Sequence, residues 1–146
     1  MGKIRSLRYF IVQGTSMTPL LRTGMLVQVV PQPHLELGDI VVFSRKGLFG
    51  HRIISIRKKK PLFQVKGDTL HGVDGWFKQN QFIGVVSGVG YEGVMYSLRS
   101  PASRIMQRGI VFLSKRNMFR FSVISNAVFI FYWNVLKGEV FLKRLA

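Results

Sequence analysis

Cysteine is absent from the 146 residues, so neither a disulfide framework nor a thiolate metal site can form. His34, His51 and His71 are too dispersed to read as a metal cluster, and no metal or cofactor is expected. Acidic residues are scarce: Glu36, Asp39, Asp68, Asp74, Glu92 and Glu139 stand against 22 lysines and arginines. The net charge of +16 predicts attraction to anionic surfaces. No helix-turn-helix, zinc-finger or RNA-binding signature accompanies that charge, so nucleic acid is not an expected partner and an anionic membrane surface is. A signal-peptide core is also missing. Lys3, Arg5 and Arg8 supply charge near the N-terminus, but only residues 9–12 run continuously apolar, short of the roughly 7–15 residues such a core needs. With no N-terminal anchor evident either, membrane association from the cytoplasmic side is the expectation.

The first hundred residues read as β. Short runs rich in Val, Ile and Phe recur between Gly, Pro and Asp. Strands are expected at 8–13, 25–30, 39–44, 51–57, 62–66, 82–88 and 93–97. No strand–helix alternation appears, which argues against a parallel doubly wound sheet. Arg57-Lys58-Lys59-Lys60-Pro61 reads as a solvated hairpin tip, with a lipid or phosphate contact as its functional alternative.

Near Pro101 the pattern changes. Ser100-Pro101-Ala102 resembles a helix entry, with Ser100 as N-cap and Pro101 in the first helical position. Residues 121–136 form the longest apolar stretch, interrupted by Ser122, Ser125, Asn126 and Asn134. As a helix they cover about 24 Å, below the roughly 30 Å of a bilayer core. Three readings stay open: an interfacial helix pair, a spanning helix, or buried or partner-binding helices. The basic rim favours the first. The chain therefore divides into a β-domain over 1–100 and a helical, membrane-associated extension over 101–146.

Chemistry enters with Ser16, His51, Asp68 and Asp74. A serine hydroxyl becomes a useful nucleophile only when a nearby base takes its proton. Imidazole exchanges its proton near neutral pH, and a carboxylate behind it fixes the tautomer and stabilises the imidazolium formed during reaction. Gly14 opens the tight segment that carries Ser16, and Pro19 sets its turn. Spacing alone leaves open whether these residues meet, and whether Asp74 or Asp68 takes the third role.

Five motifs occur in order: Gly14-Thr15-Ser16-Met17-Thr18-Pro19-Leu20, Gly38-Asp39-Ile40-Val41-Val42-Phe43, His51-Arg52-Ile53-Ile54, Lys66-Gly67-Asp68 with Asp74, and Ile83-Gly84-Val85-Val86. Together, over roughly residues 8–90, they resemble the signal peptidase and repressor-protease superfamily of serine peptidases. The likeness is greatest to the archaeal and endoplasmic-reticulum type of signal peptidase, in which histidine replaces the lysine base of most bacterial enzymes.

That resemblance implies a mostly antiparallel β-structure with a coiled, barrel-like core, followed here by the helical, apolar-basic extension. It implies Ser16 as nucleophile, His51 as general base, and Asp74 or Asp68 as the supporting acid. Met17 and Pro19 would shape the turn that presents Ser16, and Asp39 would be structural. Many signal peptidases carry a serine two residues before the nucleophile, where this chain has Gly14, so backbone N–H groups would hold the oxyanion. The expected activity is cleavage of a signal or leader peptide from a precursor. The alternative is a non-catalytic module that keeps the fold and binds a membrane or a partner.

Overall fold

A computed structural model describes residues 6–31 and 34–146. Lys3 and Arg5 of the N-terminal reading lie outside the described residues. Eight strands lead into two α-helices: β1 (Arg8–Ile11), β2 (Leu26–Val30), β3 (Ile40–Ser44), β4 (Leu48–Arg57), β5 (Leu62–Lys66), β6 (Gly75–Lys78), β7 (Phe82–Tyr91), β8 (Val94–Ser97), α1 (Pro101–Lys115) and α2 (Ser122–Leu145). All the pairings are antiparallel, in the order β1-β2-β7-β3-β4-β5-β6, with β8 on the distal half of β7. This is the mostly β architecture with C-terminal helices that the sequence predicts.

The central strand β3 explains why its sequence is continuously apolar. Successive side chains of a strand point to opposite faces. Ile40 and Val42 enter one core with Met17, Leu20, Leu21 and the helices, whereas Val41 and Phe43 enter a second core with Ile53, Phe63, Val65 and Phe77. A strand buried on both faces carries no polar alternation.

Several elements differ from the expectation: β1 ends at Ile11 rather than 13, and β7 continues to Tyr91 rather than ending at 88. β6 was absent from that expectation, because Gly75-Trp76-Phe77-Lys78 is too short to show alternation, yet it pairs with β5 over its whole length. β4 begins at Leu48 rather than His51, so His51 sits inside a strand and not at its start. Helix α2 runs 24 residues, past the apolar stretch and through Lys137, Glu139, Lys143 and Arg144. The spanning alternative therefore fails: no helix of the described residues is long and apolar enough to cross a membrane.

Helix α1 starts as its sequence indicates. Ser100 Oγ accepts from the Ser103 N–H, and Pro101 occupies the first turn, where its missing N–H costs nothing. The inner face of α2 buries Tyr132, Trp133 and Leu136 in the same core as Met17, Leu20, Val27 and Val89. The core thus crosses the boundary at residue 100 without a break. Burial pushes the Tyr132 phenol up to about 12, and its hydroxyl lies 3.0 Å from Ser103 Oγ of α1.

Candidate active site

The turn after β1 presents Ser16. Gly14 leads it with φ of +79°, a left-handed conformation that favours glycine. Met17 is buried in the core beneath, and Pro19 is buried after a cis peptide bond from Thr18. The core side chains hold the turn from below while Ser16 stays partly open.

His51 lies in β4 opposite Val41 of β3. Its ring packs edge-on to Phe43 at 5.8 Å and near Phe49 at 6.1 Å, and the residue is 3% exposed. Its Nε2 is 3.0 Å from Ser16 Oγ, and its Nδ1 is 2.6 Å from Asp74 Oδ2. A carboxylate only accepts hydrogen bonds, so the Nδ1 proton points to Asp74 and Nε2 is left as acceptor for the serine hydroxyl. The Ser16 N–H has no acceptor among the described residues.

Asp68 does not join this group. Its two oxygens receive three hydrogen bonds from the Arg52 guanidinium, at 2.9, 3.1 and 2.8 Å, with both side chains fully buried. Arg52 also donates to the Gly38 carbonyl and to Gln107 Oε1 of α1. A buried bidentate pair satisfied on every side is a structural brace. The two acids thus differ in what they touch: Asp74 contacts His51, and Asp68 contacts Arg52. Asp39 stands elsewhere, bonded to Arg99 and to the Glu36 N–H, with burial raising its carboxyl above the usual range.

The loop between β5 and β6 binds these parts together. Thr69 donates its N–H to the Ser16 carbonyl and its hydroxyl to the Thr15 carbonyl, each at 3.0 Å. Gly67 passes so close to the imidazole that an added Cβ would lie 3.1 Å from His51 Nε2 and 2.8 Å from Leu70 Cδ1. One loop therefore supports the serine, clears space for the histidine and delivers Asp74.

Ser16 opens onto a groove of about 790 Å³, bounded by residues 10–17 on one side and by Leu48, Phe49 and Gly50 on the other. Gln13, Thr15 and Ser16 are the polar side chains among its lining residues, and none of the lining residues is charged. Both flanks offer unpaired strand edges. Among the described residues β1 pairs only with β2, and β5 joins β4 only from Arg52 onward, which leaves residues 48–51 open on one side.

The Peptidase S24-like family model matches residues 4–61. That span contains Ser16 and His51, and it supports the repressor-protease superfamily of serine peptidases. No curated protein and no solved structure matches the chain. No group of three or more His, Asp or Glu among the described residues comes together to hold a metal ion.

Sequence reasoning assigned no role to Arg52, Thr69 or Lys66. Arg52 follows His51 directly, and alternation along β4 sends the two side chains to opposite faces, one toward Ser16 and the other toward Asp68. Lys66 is 2% exposed, with its ammonium 3.2 Å from the Gly67 carbonyl and 3.3 Å from Ser114 Oγ. Burial pushes its pKa down, against the opposing pull of Asp68 and Asp74.

Proposed function

We propose that the chain is a serine endopeptidase that cuts a signal or leader peptide from a precursor. The observation that carries this reading is the hydrogen-bonded series Ser16–His51–Asp74 at the edge of an uncharged groove. In the proposed reaction Ser16 Oγ attacks the scissile carbonyl carbon while His51 Nε2 takes its proton. The new oxyanion is held by backbone N–H groups of the turn, that of Ser16 among them. Collapse of the tetrahedral intermediate breaks the C–N bond, and the imidazolium returns the proton to the leaving amine. Water then attacks the acyl-enzyme, again through His51, and releases the acid product and free Ser16. Asp74 keeps Nδ1 protonated throughout and stabilises the imidazolium.

The substrate is an extended segment with small, uncharged side chains near the cut. Such a strand gains main-chain hydrogen bonds from the open edges of β1 or of residues 48–51, and its alternate side chains enter the apolar groove. A histidine in the position that more often holds lysine supports a likeness to the archaeal and endoplasmic-reticulum type of signal peptidase. A binding module has no need of a serine hydroxyl, imidazole and carboxylate in series, so the catalytic reading is preferred.

Ser16→Ala and His51→Ala are each expected to abolish cleavage of a precursor carrying a small-residue site, followed by mass spectrometry, while the thermal melt is preserved. Cleavage that survives Ser16→Ala would falsify the mechanism.

A further inference from the structure

Helix α2 has two apolar faces, and the fold uses only one. Tyr132, Trp133 and Leu136 point into the core. On the opposite side Val123, Ile130, Phe131, Phe141, Leu142 and Leu145 are 60–79% exposed. Ala127, Asn134 and Gly138 complete the same stripe at three- and four-residue steps. It runs about 33 Å along the helix at 1.5 Å per residue. Scattered exposed apolar residues are ordinary on a protein surface, but two apolar clusters on one helix face, Val123, Ile130 and Phe131 toward one end and Phe141, Leu142 and Leu145 at the other, mark an interaction site.

The charge around the stripe selects its partner. Lys137, which also reaches Glu92 at 3.5 Å, and Arg144 follow one border, whereas Lys143 turns to the inner side in the last turn, beside Leu136 and Glu139. Arg120 lies over the exposed Phe121 at 4.8 Å, just before the helix begins. The one acidic residue of α2, Glu139, accepts from Ser100 and is partly buried. With a net charge of +16, a second copy placed face to face would repel. An anionic bilayer surface complements both the apolar stripe and its basic border. As no helix of the described residues can cross a membrane, the fitting geometry is a helix lying in the interface plane.

We propose that the outer face of α2 docks the protein on an anionic lipid surface, with the stripe in the acyl boundary and Lys137 and Arg144 among the headgroups. This goes beyond the peptidase reading and does not depend on it. Arg22 stacks on Phe129 of α2 at 3.6 Å, in the loop that follows the Ser16 turn. The docked helix is therefore packed directly against the segment that carries the serine.

The test is co-sedimentation of the full chain with vesicles of phosphatidylcholine alone or mixed with phosphatidylglycerol. Expected is binding to the mixed vesicles, weakened at high salt, and at least tenfold weaker for the Phe131→Ser, Leu142→Ser double variant. Lys137→Glu with Arg144→Glu is expected to weaken it at least thirtyfold at low salt. These residues are exposed, so the melts should match the parent chain, and Ser16→Ala should bind like the parent. Lys58→Glu with Lys59→Glu, at the β4–β5 hairpin, makes the same charge change elsewhere and is expected to have little effect. Three results would overturn the proposal: apolar variants that bind like the parent, a hairpin variant that loses as much as the α2 charge variant, or a dimer disrupted by Phe131→Ser with no vesicle binding.

Discussion

At the scale of single residues, the two neighbouring acids divide their work by what each touches. Asp74 is 2.6 Å from His51 Nδ1, and its side chain is partly open, at 16% exposure. Asp74→Asn offers a group that can donate toward Nδ1 and favours the wrong tautomer. The turnover number is expected to fall about 10³–10⁴-fold with little change in melting temperature. Asp68→Asn instead leaves the Arg52 guanidinium buried and short of its counter-charge. Removing one partner of a buried pair costs about 3–5 kcal/mol, a large share of the roughly 5–15 kcal/mol that holds a domain folded. Urea unfolding should show that loss for Asp68→Asn and not for Asp74→Asn; the reverse pattern would exchange their roles. Lys66 makes a second prediction with a defined sign. Its folded pKa is lowered by burial, so the unfolded chain binds the proton more tightly. The stability cost of the buried ammonium is fully present below the folded pKa and fades as pH rises toward the unfolded value. Lys66→Met should therefore be more stable relative to the parent at pH 7 than at pH 10, read from paired melts. A gap that stays constant with pH would show that the charge is not the cost.

At the scale of elements, the loop between β5 and β6 connects the nucleophile turn to the base. Thr69→Val keeps the shape and the backbone bond to Ser16 but removes the hydroxyl bond to Thr15. Net hydrogen bonds of this kind are worth about 0.5–1.5 kcal/mol, so kcat/KM for peptide cleavage should drop about two- to tenfold. An unchanged kcat/KM would show that the turn holds Ser16 without this bond. Much at this scale was legible in advance. The strands that became β2, β3 and β5 stood out because Val, Ile and Phe cluster between turn residues, and the entry to α1 was readable at Ser100-Pro101. β6 was not, because its existence depends on pairing with β5 and not on its own four residues. The end of α2 was hidden for a related reason: charge in Lys137, Glu139, Lys143 and Arg144 breaks the apolar run, while the backbone continues as helix. In the site, Ser16 and His51 were readable from their motifs. The assignment of Asp74 over Asp68 was not, because it depends on where Arg52 points, and that follows from the pleat of β4 and the position of Gln107 on α1.

At the scale of the whole molecule, the change from strands to helices near residue 100 is a change of secondary structure within one continuous core. Ile110 of α1, Phe119 and the Tyr132, Trp133 and Leu136 cluster of α2 pack in one body with Met17, Leu20 and Leu21 of the Ser16 turn. The helices also supply partners to buried polar heads of the sheet: Gln107 accepts from Arg52, and Ser114 meets Lys66. A chain ending at Ser100 would expose the apolar underside of the Ser16 turn at Leu20, and Leu98 after β8, each now 1% exposed. It would also leave the Arg52 and Lys66 polar heads without their helical partners. Burying one Leu or Phe side chain is worth about 1.5–3 kcal/mol, so losing several together exceeds the net stability of a domain this size. The truncated chain is therefore expected to lose near-ultraviolet circular dichroism, to be digested rapidly by trypsin and to lack peptidase activity. If it melted cooperatively and still cleaved substrate, α1 and α2 would be an attached extension and not a wall of the core. The vesicle experiment accordingly relies on point changes on the outer face of α2, where lipid binding can be altered while the face that supports Ser16 stays in place.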